Sequence, residues 1–211
     1  MKLKAIGDPS VGVILGFLVF TVIFGWKILD PTYFDWLTSY NNDPIMNFLG
    51  WHFFRFEDWT FPLGLIKNFG TPDGSSLVYV DSIPLLALPF KLLRGILPPI
   101  FQYAGLWLLS CYVLQGFFAW LLAKKITSNL ISRIVITLFF TISPIMLYRA
   151  DRHEALTGHW MILAAIYLYV ISVEKLISVE KINKDINSPC LIRWTLLLVA
   201  TSLVHFYLCA M

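Results

Sequence analysis

The sequence predicts an all-α membrane protein, a multi-span helical bundle of about five transmembrane helices with two further helices lying at the bilayer surface. Three observations carry that expectation. Hydrophobic residues are 58% of the 211, charged residues only 14%, and the apolar ones fall into blocks that reach about 20 residues, enough to cross a hydrocarbon layer of roughly 30 Å. Lysine and arginine gather at alternate ends of those blocks. The acids gather elsewhere, in one stretch where Asp30, Asp35, Asp43, Glu57, Asp58, Asp73 and Asp81 face only Arg55 and Lys67.

The first block, residues 10–28, is apolar on every side. It starts at Asp8-Pro9-Ser10, a combination suited to a helix N-terminus, and ends at Trp26 and Lys27 as interfacial anchors. Lys2 and Lys4 precede it. No small-residue cleavage site follows, so an uncleaved first helix is expected rather than a signal peptide. The acidic stretch comes next, as part of an outer loop over residues 30–98. Trp36, Trp51 and Trp59 stand among its acids. That mixture fits neither a solvated linker nor a buried span, and it predicts a folded loop against one membrane face.

Within this loop, Asn42-Asp43-Pro44 starts a helix over 43–55, with Asp43 as cap and Pro44 as the first helical residue. A second short helix is expected over 84–97. It is too short to span, and Lys91 and Arg94 share one of its faces. It is therefore expected to lie in the interface. Further spans follow at about 100–123, 130–148, 156–173 and 194–211. The whole of 1–211 reads as a single transmembrane domain, expected to continue beyond Met211.

Charge tests the count. With a cytoplasmic N-terminus, Lys124, Lys125, Arg133, Lys175, Lys181, Lys184 and Arg193 all fall on the cytoplasmic side, as the bias of basic residues toward inner loops requires. If 84–97 crossed the membrane, Lys124 and Lys125 would face outward. The formal charge of +3 adds little to this, because its distribution is what orients the chain. Cys111, Cys190 and Cys209 are an odd number without metal-ligand spacing, and no disulfide framework is expected.

That topology sends Asp43, His52, Arg55, Asp81, Arg149, Asp151, His153, Glu154, His159 and His205 to the non-cytoplasmic face. Ionisable groups near lipid are costly and usually carry a function. Each also has a plainer role. Asp43 can be only a cap, and Asp151-x-x-Glu154 has capping-box spacing. His205 can be a packed histidine, His52 a snorkelling one, and Asp81 or Ser82 a cap for the second short helix. Arg149 with His153 or His159 suits phosphate, since a guanidinium is a planar donor that stays charged. A metal site on His153, Glu154 and His159 is weaker, because five or six residues apart they do not share a helix face. No cofactor or metal is called for, and nothing suggests nucleic acid.

The order of parts resembles the front of the GT-C glycosyltransferases, multi-pass enzymes that take a sugar from a polyprenyl-phosphate carrier. Asn42-Asp43-Pro44, Phe48-Leu49-Gly50-Trp51, Phe61-Pro62-Leu63-Gly64, Asp81-Ser82-Ile83-Pro84-Leu85 and His153-Glu154-Ala155-Leu156 are similar to an uncharacterised bacterial family placed in that superfamily. The resemblance implies a GT-C-like fold in the bacterial inner (plasma) membrane, with its active face outside. It implies Asp43 as catalytic base or acceptor-orienting group. It places basic groups near Ser143-Pro144 and Arg149 where a carrier phosphate would sit. The expected substrate-binding residues are Arg149, His153, Glu154, His159, His205 and Asp81. The expected partners are a polyprenyl-phosphate-linked sugar, membrane lipid, and a glycan, lipid or protein acceptor. The alternatives are a non-catalytic membrane assembly protein, or a transporter or flippase for a lipid-linked saccharide.

Overall fold

The computed structural model describes residues 8–38, 43–178 and 188–210. Lys2, Lys4, Asn42, Lys181, Lys184 and Met211, which entered the sequence reading, lie outside the described residues. The architecture is helical apart from one antiparallel pair of two-residue strands, β1 (Leu65–Ile66) and β2 (Ser75–Ser76), in the loop after the first surface helix.

Helix α1 (Ser10–Phe24) stops at Gly25, whose φ of +70° is open to glycine and strained for other residues. It packs most extensively on α5 (Ala104–Ile126). Glycine makes that approach possible: a Cβ on Gly16 would overlap the Tyr112 carbonyl, and one on Gly116 the Gly12 carbonyl. Without a hydrophobic drive between helices in lipid, close backbone contact of this kind is what joins them. A 3-10 turn (Lys27–Leu29) follows α1. Gln102 clasps it to α5, donating from Nε2 to the Ile28 and Asp30 carbonyls and accepting from the Gly105 N–H at Oε1.

The loop then folds into α2 (Asp35–Thr38), α3 (Asp43–Phe56) and α4 (Pro84–Leu92). Helix α3 matches the expected 43–55 almost to the residue, and α4 ends five residues before the expected boundary at 97. Both are pinned by buried polar groups. The Trp51 indole donates to the Phe101 carbonyl at 2.9 Å. Arg55 Nη1 donates to Pro98 at 2.6 Å and Pro99 at 3.4 Å, and Nη2 to Leu97 at 2.9 Å and Arg94 at 3.2 Å. Lys91, expected at an exposed interface, is buried: its ammonium lies 3.8 Å from the Phe54 ring centre and 4.7 Å from that of Trp59. Burial pushes its pKa below the usual lysine value, helped by Arg94 and opposed by Glu57 and Asp58.

Among the described residues, three helical stretches are long and apolar enough to cross a membrane: Ala104–Ile126, Leu130–Arg152 and Glu154–Lys175. The second of these is α6 (Leu130–Thr141) and α7 (Pro144–Arg152), broken at Ser143-Pro144 where Ser143 caps α7. The third is a 3-10 turn (Glu154–Thr157) leading into α8 (Trp160–Ser178). Helix α1 and α9 (Ser188–Val204) are apolar but shorter, and α10 (Phe206–Ala210) continues after a break at His205. Lys125 pairs with Glu174 at 2.5 Å, so α5 and α8 end on the same side of the bundle. The chain fits a membrane protein by these helices.

Candidate functional site

The site begins with local chain geometry. Helix α3 starts at Asp43, where a carboxylate is favoured by the free N–H groups of the first turn. Asp81 sits in the turn entering α4 with φ +52°, and Ile83 follows at φ +44°. Aspartate tolerates that region, but a β-branched isoleucine does so only under constraint. The constraint is visible. The Ile83 side chain is fully buried, Ser82 donates its hydroxyl to the Asn47 carbonyl, and Tyr103 donates to the Ser82 carbonyl. The turn therefore holds Asp81 beside the start of α3.

The other half of the site comes from the far end of the chain. His153 ends α7, and its Nδ1 lies against Asp43 Oδ2. His205 lies between α9 and α10, with Nε2 3.1 Å from Asp81 Oδ1. Its Nδ1 accepts from the Tyr207 N–H, so the Nε2 nitrogen carries the proton toward Asp81. Two acid–imidazole pairs thus stand side by side. Ligand atoms of Asp43, Asp81 and His153 all lie within 4.8 Å of one another.

Glu154 differs from both aspartates. It is fully buried, and neither carboxylate oxygen has a well-formed hydrogen bond. The Asn47 side chain lies against it, with Nδ2 likewise unpaired, and the charges of Asp81 and Asp43 reach it. Its backbone carbonyl is used, accepting from the Trp107 indole at 2.6 Å. The capping-box expectation is therefore corrected. Asp151 lies in the last turn of α7, exposed and paired with Arg152, and Glu154 turns inward instead of folding back on a helix start.

Beside this cluster runs a cavity of about 490 Å³ between α6, α7 and α8. Its walls are mainly apolar, with Phe139, Phe140, Ile162 and Ile166 among them. Arg149 and His159 line it too, close enough for the arginine charge to act on the imidazole. Tyr207, whose ring is tilted against His205 at 4.9 Å between ring centres, also borders it, so the cavity lies next to the His205 side of the acidic cluster.

Of the residues singled out from the sequence, the fold gathers Asp43, Asp81, His153, Glu154 and His205 in one place, with Arg149 and His159 in the adjoining cavity. It sets three others apart, Asp151 being exposed and paired with Arg152. Arg55 is occupied with carbonyls. His52 rests against the Phe48 and Phe56 rings, and burial pushes its pKa below the usual histidine value, with Arg55 adding to the effect. Asn47 was not singled out, though a signal existed: it stands four residues after Asp43 on the same face of α3.

Residues 13–211 match the family model described as a domain of unknown function (DUF6311). No curated protein and no solved structure matches the chain.

Proposed function

We propose that this chain, which belongs to the DUF6311 family, is a GT-C-like membrane glycosyltransferase that moves a sugar from a polyprenyl-phosphate carrier to an acceptor. The site would face the non-cytoplasmic side of a bacterial plasma membrane, with α1, α5, α6–α7, α8 and α9 as five spans. One observation carries the reading: a mainly apolar cavity lined by Arg149 and His159 adjoins a carboxylate–imidazole cluster. A lipid-phosphate sugar has those parts in that order. Its hydrocarbon tail suits the apolar walls, its phosphate suits a guanidinium fork, and the sugar would then lie toward Asp43.

In this reaction the acceptor hydroxyl oxygen attacks the anomeric carbon and its proton passes to Asp43. The bond from the anomeric carbon to the phosphate oxygen breaks, and its electron pair leaves on the carrier phosphate. General-base assistance of this kind is typically worth about 10²–10⁴-fold in rate. Arg149 would stabilise the charge that grows on the leaving phosphate. His153, in close contact with Asp43, would fix the orientation of the carboxylate.

The full chain in proteoliposomes, supplied with polyprenyl-phosphate hexoses and pentoses, tests this. Sugar transfer is expected, with Asp43→Asn reducing it at least a hundredfold while a photoreactive polyprenyl phosphate still crosslinks to α6 and α8. Unchanged turnover in the variant would remove Asp43 from the mechanism. Carrier movement without transfer would identify a flippase, and neither activity would favour an assembly role.

A further inference from the structure

We infer that Asp43, Asp81 and His153 form a binding site for one divalent transition-metal cation, such as Mn²⁺ or Zn²⁺. The inference does not depend on the glycosyl-transfer reading, because it concerns what the cluster binds rather than what it catalyses. The three residues come from separate segments: the first turn of α3, the strained turn before α4 and the end of α7. Their ligand atoms nevertheless converge within 4.8 Å. Ligands at about 2.0–2.2 Å from such an ion stand roughly 3 Å apart when adjacent and roughly 4 Å apart when opposite. Small side-chain rotations bring this group into that range. Each residue is half-buried, so the ion would keep open positions for water or a ligand oxygen.

Glu154 supplies the independent reason to expect a cation. It is fully buried and neither carboxyl oxygen has a well-formed hydrogen bond, so a polar group beside the cluster is left without a partner. The acids of the cluster that act on it are Asp81 and Asp43. Three carboxyl groups thus share one corner of the fold with the imidazoles of His153 and His205, and the partners of Asp43 and Asp81 there are imidazoles. A dication bound by the first three residues would offset the charge and give Glu154 an outer electrostatic partner, as groups behind metal ligands commonly have. The donor set favours the chemistry named. One imidazole and two carboxylates suit Mn²⁺ or Zn²⁺, whereas an all-oxygen site would favour Mg²⁺ or Ca²⁺. His153 would bind through the Nδ1 that now lies against Asp43 Oδ2.

The test is direct binding by the full-length protein in detergent, with Mn²⁺ and Zn²⁺ titrated separately. One ion per chain is expected. For Mn²⁺, electron spin-echo modulation should report a single coordinated imidazole nitrogen. Asp81→Asn and His153→Gln should each weaken binding at least tenfold, and His153→Gln should abolish the nitrogen signal. Asp151→Asn, on the exposed face of the same helix, should change neither. The inference is overturned if the wild-type chain binds neither ion stoichiometrically, a result that needs no variant to fold. It is also overturned if the nitrogen signal persists in His153→Gln. Sugar-transfer activity without metal binding would remove this site and leave the proposed reaction standing; metal binding without transfer would do the reverse.

Discussion

Arg55 and Glu154 are both ionisable side chains closed off from solvent, at 2% and 0% exposure, and the fold treats them in opposite ways. Arg55 reaches from α3 to the segment after α4 and gives its terminal nitrogens to the carbonyls of Arg94, Leu97, Pro98 and Pro99. Those carbonyls leave a helix end and a Pro-Pro sequence, where no following N–H can serve them. Glu154 has the Asn47 side chain beside it, the charges of two aspartates nearby, and no well-formed hydrogen bond. A buried charge whose two terminal nitrogens are taken up by carbonyls, with its Nε alone unpaired, belongs to the scaffold. A buried acid with neither oxygen paired, next to a cluster of metal-ligand side chains, points to the working part of the molecule.

The contrast separates stability from function, and the largest effect should come from its scaffold side. Arg55→Ala leaves four carbonyls without their donor, and should destabilise the purified protein by about 3–5 kcal/mol, or prevent its isolation. Arg55→Lys should recover little, because one ammonium cannot reproduce the two-nitrogen fork. Thermal unfolding in detergent measures both. An alanine variant that melts like the wild type would mean that these bonds hold nothing together.

A smaller loss is expected at the seam between α1 and α5. Gly16→Ala places a methyl group into the Tyr112 carbonyl, and overpacking of this kind typically costs about 1–3 kcal/mol. Gly95→Ala, where nothing lies within 4 Å, is the control and should melt normally. Both positions are remote from Asp43 and Asp81 in the sequence of contacts, so metal binding by surviving Gly16→Ala protein should be intact. Loss of the metal with an unchanged melt would break the division between scaffold and site.

How much of this was legible in the sequence follows from the range of the forces involved. The helical class and the start of α3 at Asp43 were legible, because block hydropathy, proline and capping chemistry are local signals. The bend between α6 and α7 was not legible: one span was expected over 130–148, and at Ser143-Pro144 the helix breaks and continues as α7 to Arg152. The grouping of Asp43, Asp81, His153, Glu154 and His205 on one face followed from counting spans and charges. Their pairing did not. Asp43 meets His153 across more than a hundred residues, and no periodicity encodes such a contact. The burial of Arg55 and Lys91 was not legible for a related reason. A cation among aromatics in a surface loop looks interfacial, until the carbonyls and rings that enclose it are placed by tertiary packing.

The smallest expected change in stability falls on the site side of the contrast, at Glu154→Gln. The substitution keeps the shape, replaces one carboxyl oxygen by an amide nitrogen, and leaves the backbone carbonyl that accepts from Trp107 in place. An unpaired buried carboxyl group contributes no favourable bond that its amide would lose, so the unfolding midpoint should stay within about 1 kcal/mol of wild type or rise. Cation affinity should fall all the same, because a carboxyl group able to ionise beside a bound cation is gone. The two readouts move independently only if Glu154 acts through the cluster. A large drop in stability together with unchanged Mn²⁺ and Zn²⁺ affinity would make Glu154 a second Arg55, a structural charge whose partner is Asn47, and the contrast between the two buried groups would dissolve.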